Sequence, residues 1–152
     1  MDNPKYTFRS ITSKDYEFIY QVKKTAYKKY VEMNWGSWEE EEQRRLFAQF
    51  ISTNKDETFI IVHKGKEIGF YNGKTLSNEK YEVGNICIIP EFQRKGIGTA
   101  ILMDVLSENR DKEISIQYFK QNPVGELYER LGFKSGGETV FHYQMTRTRQ
   151  KQ

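Results

Sequence analysis

The stretch Ile86-Cys87-Ile88-Ile89-Pro90-Glu91-Phe92-Gln93-Arg94-Lys95-Gly96-Ile97-Gly98-Thr99 decides how the rest of the chain is read. Its first four residues are the core of a buried strand, and Pro90 ends it because proline cannot donate to a ladder. A short polar loop follows. Gly96 or Ile97 then opens a helix with Ile97, Ile101, Leu102, Val105 and Leu106 on one face. Glycines allow a ligand close to the backbone, and the first amides of a helix have no intrahelical partners. With Arg94 and Lys95 alongside, such a loop favours a phosphate group. Two nucleotide alternatives fail on spacing. The dinucleotide fingerprint needs a third glycine and an early strand, and a P-loop needs Gly-Lys-Ser/Thr.

Upstream, Tyr6, Phe8 and Ser10 alternate with polar residues and predict a short strand. Thr12-Ser13-Lys14-Asp15 reads as a capping box. Phe18, Val22, Ala26 and Tyr30 give the next helix an apolar stripe, which should stop near Asn34-Trp35-Gly36. Ser37 is placed to cap a second helix whose first turn, Glu39 to Glu42, suits the positive end of its dipole. From Thr58 the period falls to two. Thr58 to Val62, Glu67 to Leu76 and Tyr81 to Ile89 read as three strands joined by turns at Lys64-Gly65-Lys66 and Ser77 to Lys80. Downstream, Glu113 to Phe119 is strand-like. Asn122-Pro123 starts a helix that ends at Leu131-Gly132-Phe133, with Gly132 in the left-handed position. A closing hairpin through Thr139 to Met145 turns around Gly136-Gly137. The order β-α-α-β-β-β-α-β-α-β-β is that of a mixed α/β fold with a mainly antiparallel central sheet flanked by helices.

The 152 residues suffice for one core, expected as a single domain over residues 1–147 with a short basic tail at 148–152. With 37% hydrophobic and 14% aromatic residues, tyrosine must supply part of that core. The net charge of +3 comes from 24 basic and 21 acidic residues with the signs interspersed, which argues against a dedicated nucleic-acid binder. One cysteine excludes an internal disulfide and a Cys-cluster zinc site, and His63 and His142 lack ligand spacing, so no metal is expected. The longest apolar runs are too short to span a bilayer. Met1 to Lys5 has no apolar stretch behind it, and the expectation is a cytoplasmic protein without a membrane partner.

The strand-Pro-x-aromatic-Gln-x-x-Gly-x-Gly string resembles the acetyl-CoA pyrophosphate loop of the GCN5-related N-acetyltransferase (GNAT) superfamily. A second signature follows in order, Asn122-Pro123 and then Leu127-Tyr128-Glu129-Arg130-Leu131-Gly132-Phe133. The resemblance covers nearly the whole chain. It implies the GNAT fold, acetyl-CoA as co-substrate and transfer to a primary amine of a small molecule or peptide. By position, it implies that backbone groups of Ile86, Cys87 and Ile88 hold the acetyl and pantetheine end. Arg94, Lys95, Gly96, Ile97, Gly98 and Thr99 supply amides to the pyrophosphate, Gln93 shapes the loop, and Asn122 bonds the pantetheine arm. Tyr128 protonates the departing thiolate.

The implied reaction is direct attack by a neutral amine in a ternary complex. An alkylamine has a pKa near 10.4, so something must take its proton. Some relatives carry a Glu on the strand before the Asn; the matching residue here is Gln117, which is no base. Others use a Glu early on the strand before the phosphate loop, and the matching residue is Glu82. A water chain is the alternative. The departure at Gln117 also keeps open a non-catalytic acyl-CoA-binding module. Trp35 and Trp38 lie in the connection that borders the acceptor site in the resembling family; they read either as an aromatic wall for a cation or as packing for the helix pair. Cys87 reads as a small buried side chain, not as a nucleophile. Homodimerisation is common in that family, although no self-complementary patch is legible.

Overall fold

Where apolar residues recur every three or four positions the chain is helical, and where they alternate it is extended. The computed structural model describes residues 5–150. Its elements are β1 (Thr7–Ser10), α1 (Tyr16–Trp35), α2 (Glu40–Asn54), β2 (Thr58–His63), β3 (Lys66–Thr75), β4 (Lys80–Ile88), α3 (Ile97–Glu108), β5 (Glu113–Phe119), α4 (Gly125–Arg130), β6 (Lys134–Glu138) and β7 (His142–Arg147). The strands are ordered β1-β2-β3-β4-β5-β7-β6. β4 and β5 pair in parallel, while β1–β2, β2–β3, β5–β7 and β6–β7 are antiparallel. This is the mixed, mostly antiparallel α/β order read from the sequence. Met1 to Pro4, which carried the leader reading, and Lys151 and Gln152 of the basic tail lie outside the described residues. Among the described residues, no helix is long and apolar enough to cross a membrane.

The chain divides into two compact units, one reaching Asn72 and resuming over Asn85–Ala100, the other formed by Gly73–Gly84 and the residues from Ile101. The first is built around Ile19, Tyr20, Val22, Phe47, Ile60, Phe70 and Cys87. The buried arc of α1 is wider than the stripe read from its sequence: Ile19 and Tyr20 are fully buried, whereas Phe18 and Ala26 are only partly so. A helix covered by both a sheet and a second helix buries more than one stripe. Tyrosine does supply core, with Tyr20, Tyr30 and Tyr71 buried. The Tyr20 hydroxyl accepts the Trp38 indole N–H at 3.1 Å, and that N–H also reaches Glu40 at 3.0 Å. Pinned this way, the connection delays α2 until Glu40. Ser37 is therefore no cap; its hydroxyl donates to the Glu39 carboxylate at 2.6 Å.

The capping box forms as read, with Asp15 accepting the Thr12 N–H at 2.8 Å and also a bidentate pair from Arg9 at 2.8 and 2.9 Å. The Arg9 guanidinium holds the Asp15 carboxyl down at about 2. A depressed carboxyl stabilises the fold fully above its unfolded pKa of 3.8 and loses that contribution as pH falls through 2. Because Arg9 is partly exposed, the contribution is about 1–2 kcal/mol. Asp15→Asn should cost that amount in urea unfolding at pH 7, and the difference from wild type should vanish between pH 4 and pH 2.

In the second unit, Ile114 and Ile116 on β5, Met145 on β7 and Phe133 are buried, as are Ile101, Leu102, Val105 and Leu106 of α3. β5 pairs with β7 along its length, from Ile114↔Arg147 to Phe119↔His142. Gly136 and Gly137 sit within β6, not at the hairpin turn, which Thr139 closes by donating its N–H to the His142 carbonyl at 2.8 Å. The register shifts between Ser135 and Gly137, and Gly137 has φ 120°, so the glycine pair serves a bulge. The expected tail is held as far as Gln150, whose N–H donates to the Arg110 carbonyl at 2.8 Å.

Candidate active site

β4 reaches Ile88 and the chain turns through Pro90–Phe92 in one tight turn, closed by the Phe92 N–H on the Ile89 carbonyl at 3.0 Å. The Gln93 amide donates to the Ile88 carbonyl at 2.7 Å, tying the loop back to the strand it leaves. Arg94 (φ 61°) and Gly96 (φ 81°) are both left-handed. For Arg94 this conformation costs about 1 kcal/mol, and such strain persists where a loop must present its backbone in a particular direction. α3 begins at Ile97, and its first intrahelical bond runs from Ala100 N–H to the Gly96 carbonyl at 3.0 Å. The amides of Ile97, Gly98 and Thr99 therefore lie ahead of the helix's own hydrogen-bonding.

These elements enclose a pocket of about 270 Å³ lined by Ile86, Cys87, Ile88, Gln93, Arg94, Gly96, Ile97, Gly98 and Thr99, together with Ala26 and Phe92. All lie in the first unit. A Cβ on Gly98 would stand 3.6 Å from Ile88 Cδ1 and 3.9 Å from Ile86 Cγ2, an ordinary contact, so internal packing does not require glycine there. Amides that precede the helix's own hydrogen-bonding, a cationic loop and a glycine-bared backbone fit a diphosphate with an extended arm leaving along β4. Burial pushes the Cys87 thiol up to about 12, so it remains S–H at neutral pH.

The remaining residues singled out in the sequence are placed differently. Lys95 is exposed on the loop, 6.0 Å from the Phe92 ring centre, and does not line the pocket. Trp38 is packed against the first-unit core, while Trp35 is 52% exposed at the end of α1. Neither lines the pocket. Of the acidic run, Glu40 pairs with Lys24 and Arg44, and Glu42 with Arg45. Glu82, Gln117, Asn122 and Tyr128 belong to the second unit. Glu82 is exposed on β4 opposite Ser115, and Gln117 is exposed on β5 opposite Gln144. Asn122 precedes α4 by three residues and accepts the Val124 N–H at 3.2 Å; the helix starts at Gly125, later than the Asn-Pro signal suggests. A side chain at Gly125 would meet the Tyr118 hydroxyl at 2.4 Å. Tyr128 on α4 contacts the rings of Tyr118 and Phe133 at 5.6 and 5.9 Å. Among the described residues there is no cluster of three His, Cys, Asp or Glu side chains able to hold a metal.

Ala26 and Phe92 were not singled out from the sequence. Phe92 is the aromatic of the loop string and was legible there, whereas a small residue on a helical stripe reads simply as core.

Residues 54–135, more than half of the chain, match the model of the acetyltransferase (GNAT) domain. The chain belongs to the GNAT acetyltransferase family. It is 26% identical over 144 residues to an uncharacterised N-acetyltransferase of Methanocaldococcus jannaschii, covering 85% of this chain and spanning about three fifths (61%) of that relative's length. Among solved structures, PaiA N-acetyltransferase of Thermoplasma acidophilum in complex with coenzyme A superposes with a TM-score of 0.71 at 22% identity, covering 95% of this chain and 99% of that one. The ribosomal-protein-S18-alanine N-acetyltransferase of Escherichia coli gives 0.67 at 19% identity, covering 97% and 96%. At such identities these structures share the fold. The string read first from the sequence is the strand-to-helix crossing that borders the pocket.

Proposed function

We propose that this chain transfers an acetyl group from acetyl-CoA to a primary amine of a small molecule or peptide. One observation carries the reading: the pocket that joins the end of β4 to the unpartnered amides opening α3. The coenzyme-A complex of the Thermoplasma acidophilum relative supports the choice of donor. Acetyl-CoA supplies an activated thioester. Ile97, Gly98 and Thr99 donate N–H groups to its diphosphate, with Arg94 adding charge and Gln93 holding the loop. Ile86, Cys87 and Ile88 bond the pantetheine arm as an added strand would, and Asn122 assists. A backbone N–H near Ile88 faces the charge that develops on the carbonyl oxygen. Glu82 takes the amine proton, directly or through water, and Tyr128 returns a proton to the leaving sulfur.

Thiol release from acetyl-CoA across a panel of amines tests the reaction, and turnover with one chemical class is expected. Tyr128→Phe should lower kcat by about 100-fold, the low end for loss of a general acid, with acetyl-CoA affinity within about twofold. An unchanged kcat would remove Tyr128 from the mechanism. Gln117, standing where some relatives carry a Glu, favours one alternative: a non-catalytic acyl-CoA-binding module. Acetyl-CoA binding with silence across the panel, peptide amines included, is the result that module predicts.

A further inference from the structure

A polar chain runs beside the pocket through residues that the acetyl-transfer reading leaves unused. It begins with a donor whose direction is fixed. The backbone N–H of Asn85 donates to Asn72 Oδ1 at 2.7 Å, and Asn72 is 5% exposed on β3. A side chain thus takes a strand amide, one residue before the pocket-lining stretch Ile86–Ile88. Because that contact identifies the Asn72 atom as oxygen, its second neighbour, Asn85 Nδ2 at 2.7 Å, is a donor as well. The other end of the Asn85 amide is then oxygen, and it accepts the Tyr27 hydroxyl proton at 2.9 Å. The order is Tyr27 O–H to Asn85 to Asn72, both links running one way.

The chain ties β4 to α1 and β3 at Asn85, the residue before Ile86. Tyr27 neighbours Ala26, which lines the same pocket, and Tyr27, Asn72 and Asn85 all lie in the first unit. A strand in a simple ladder would need no such device. Its backbone would be held by β3 alone, and Asn85 would be an ordinary apolar position on an inner face. Burying Asn72 between two half-buried polar partners is favourable only when every member is satisfied, and here the order satisfies each link.

We propose that Tyr27, Asn85 and Asn72 are positioning residues that fix the backbone of Ile86–Ile88 for acetyl transfer. The proposal rests on the acetyltransferase reading above. None of the three side chains is assigned contact with the reacting atoms.

The test pairs kinetics with hydrogen exchange on the full chain. Tyr27→Phe and Asn72→Ala should each lower kcat by about tenfold or more, the scale of a small misplacement of reacting groups. KM for the amine and Kd for acetyl-CoA should stay within about twofold, because neither residue lines the pocket. In the absence of any substrate, the amides of residues 85–88 should exchange about tenfold faster in both variants than in wild type. Unchanged exchange in Tyr27→Phe overturns the proposal whether or not the protein turns over an amine. So does a fall in kcat matched by equal weakening of acetyl-CoA binding. Failure of wild type to release thiol, with the exchange pattern intact, instead rejects the acetyltransferase reading and leaves the clamp as a property of acyl-CoA binding.

Discussion

Gly69→Ala is expected to cost about 3–5 kcal/mol, a large part of the stability of a domain this size. A Cβ at this position would stand 1.9 Å from the Cys87 carbonyl oxygen, 2.9 Å from its carbon and 3.0 Å from Ile88 Cα. All three are backbone atoms, so no rotamer change relieves the overlap. β3 and β4 would have to separate, straining neighbouring bonds such as Ile89 N–H to the Ile68 carbonyl at 2.8 Å. Urea unfolding should show a large fall in midpoint. Because the colliding atoms belong to the stretch that borders the pocket, any folded fraction should bind acetyl-CoA weakly. A midpoint within experimental error of wild type would mean that the two strands do not approach this closely.

Gly98→Ala should behave in the opposite way, losing ligand while keeping the fold. Its added methyl meets Ile88 and Ile86 only at ordinary contact distance, and alanine is the better helix former by up to about 1 kcal/mol. Stability should be unchanged or slightly raised. The methyl occupies space on the pocket side, where overpacking costs about 1–3 kcal/mol. Acetyl-CoA affinity should therefore fall roughly 5- to 100-fold in a calorimetric titration. Gly98→Val should fall further. Together the two glycines separate a requirement of the fold from a requirement of the ligand, a distinction that the residue type alone does not make. Equal affinities for wild type and Gly98→Ala would move the diphosphate away from the start of α3.

Much of the architecture was legible because it is local. The Pro90 stop, the α3 stripe, the Thr12-Asp15 box and the Gly132 turn each depend on residues within a few positions of one another. Gly132 has φ 98°, and the Phe133 N–H returns to the Tyr128 carbonyl at 3.0 Å. The loop that opens α3 was legible for the same reason, since a helix start and two glycines are short-range features. Where the reading slipped, a distant partner had decided the outcome. Ser37 is a good cap by type, but Trp38 is held by Tyr20 and Glu40, so the helix starts later. Gly136-Gly137 is a good turn by type, but pairing with β7 absorbs it as a bulge and moves the turn to Thr139–Phe141.

The sequence by itself determined the order of elements and the glycine loop that leads from β4 into α3, because periodicity, proline stops and glycine loops act over a few residues. Tertiary structure alone decided which glycine is bound to the fold, since Gly69 is constrained by Cys87, a residue on another strand. It also decided that Tyr27, Asn72 and Asn85, scattered over nearly sixty positions, form one directed chain. In sequence a polar residue on a buried strand is only an exception to a pattern. Its meaning depends on which donor faces it across the sheet, and that is fixed by register and packing.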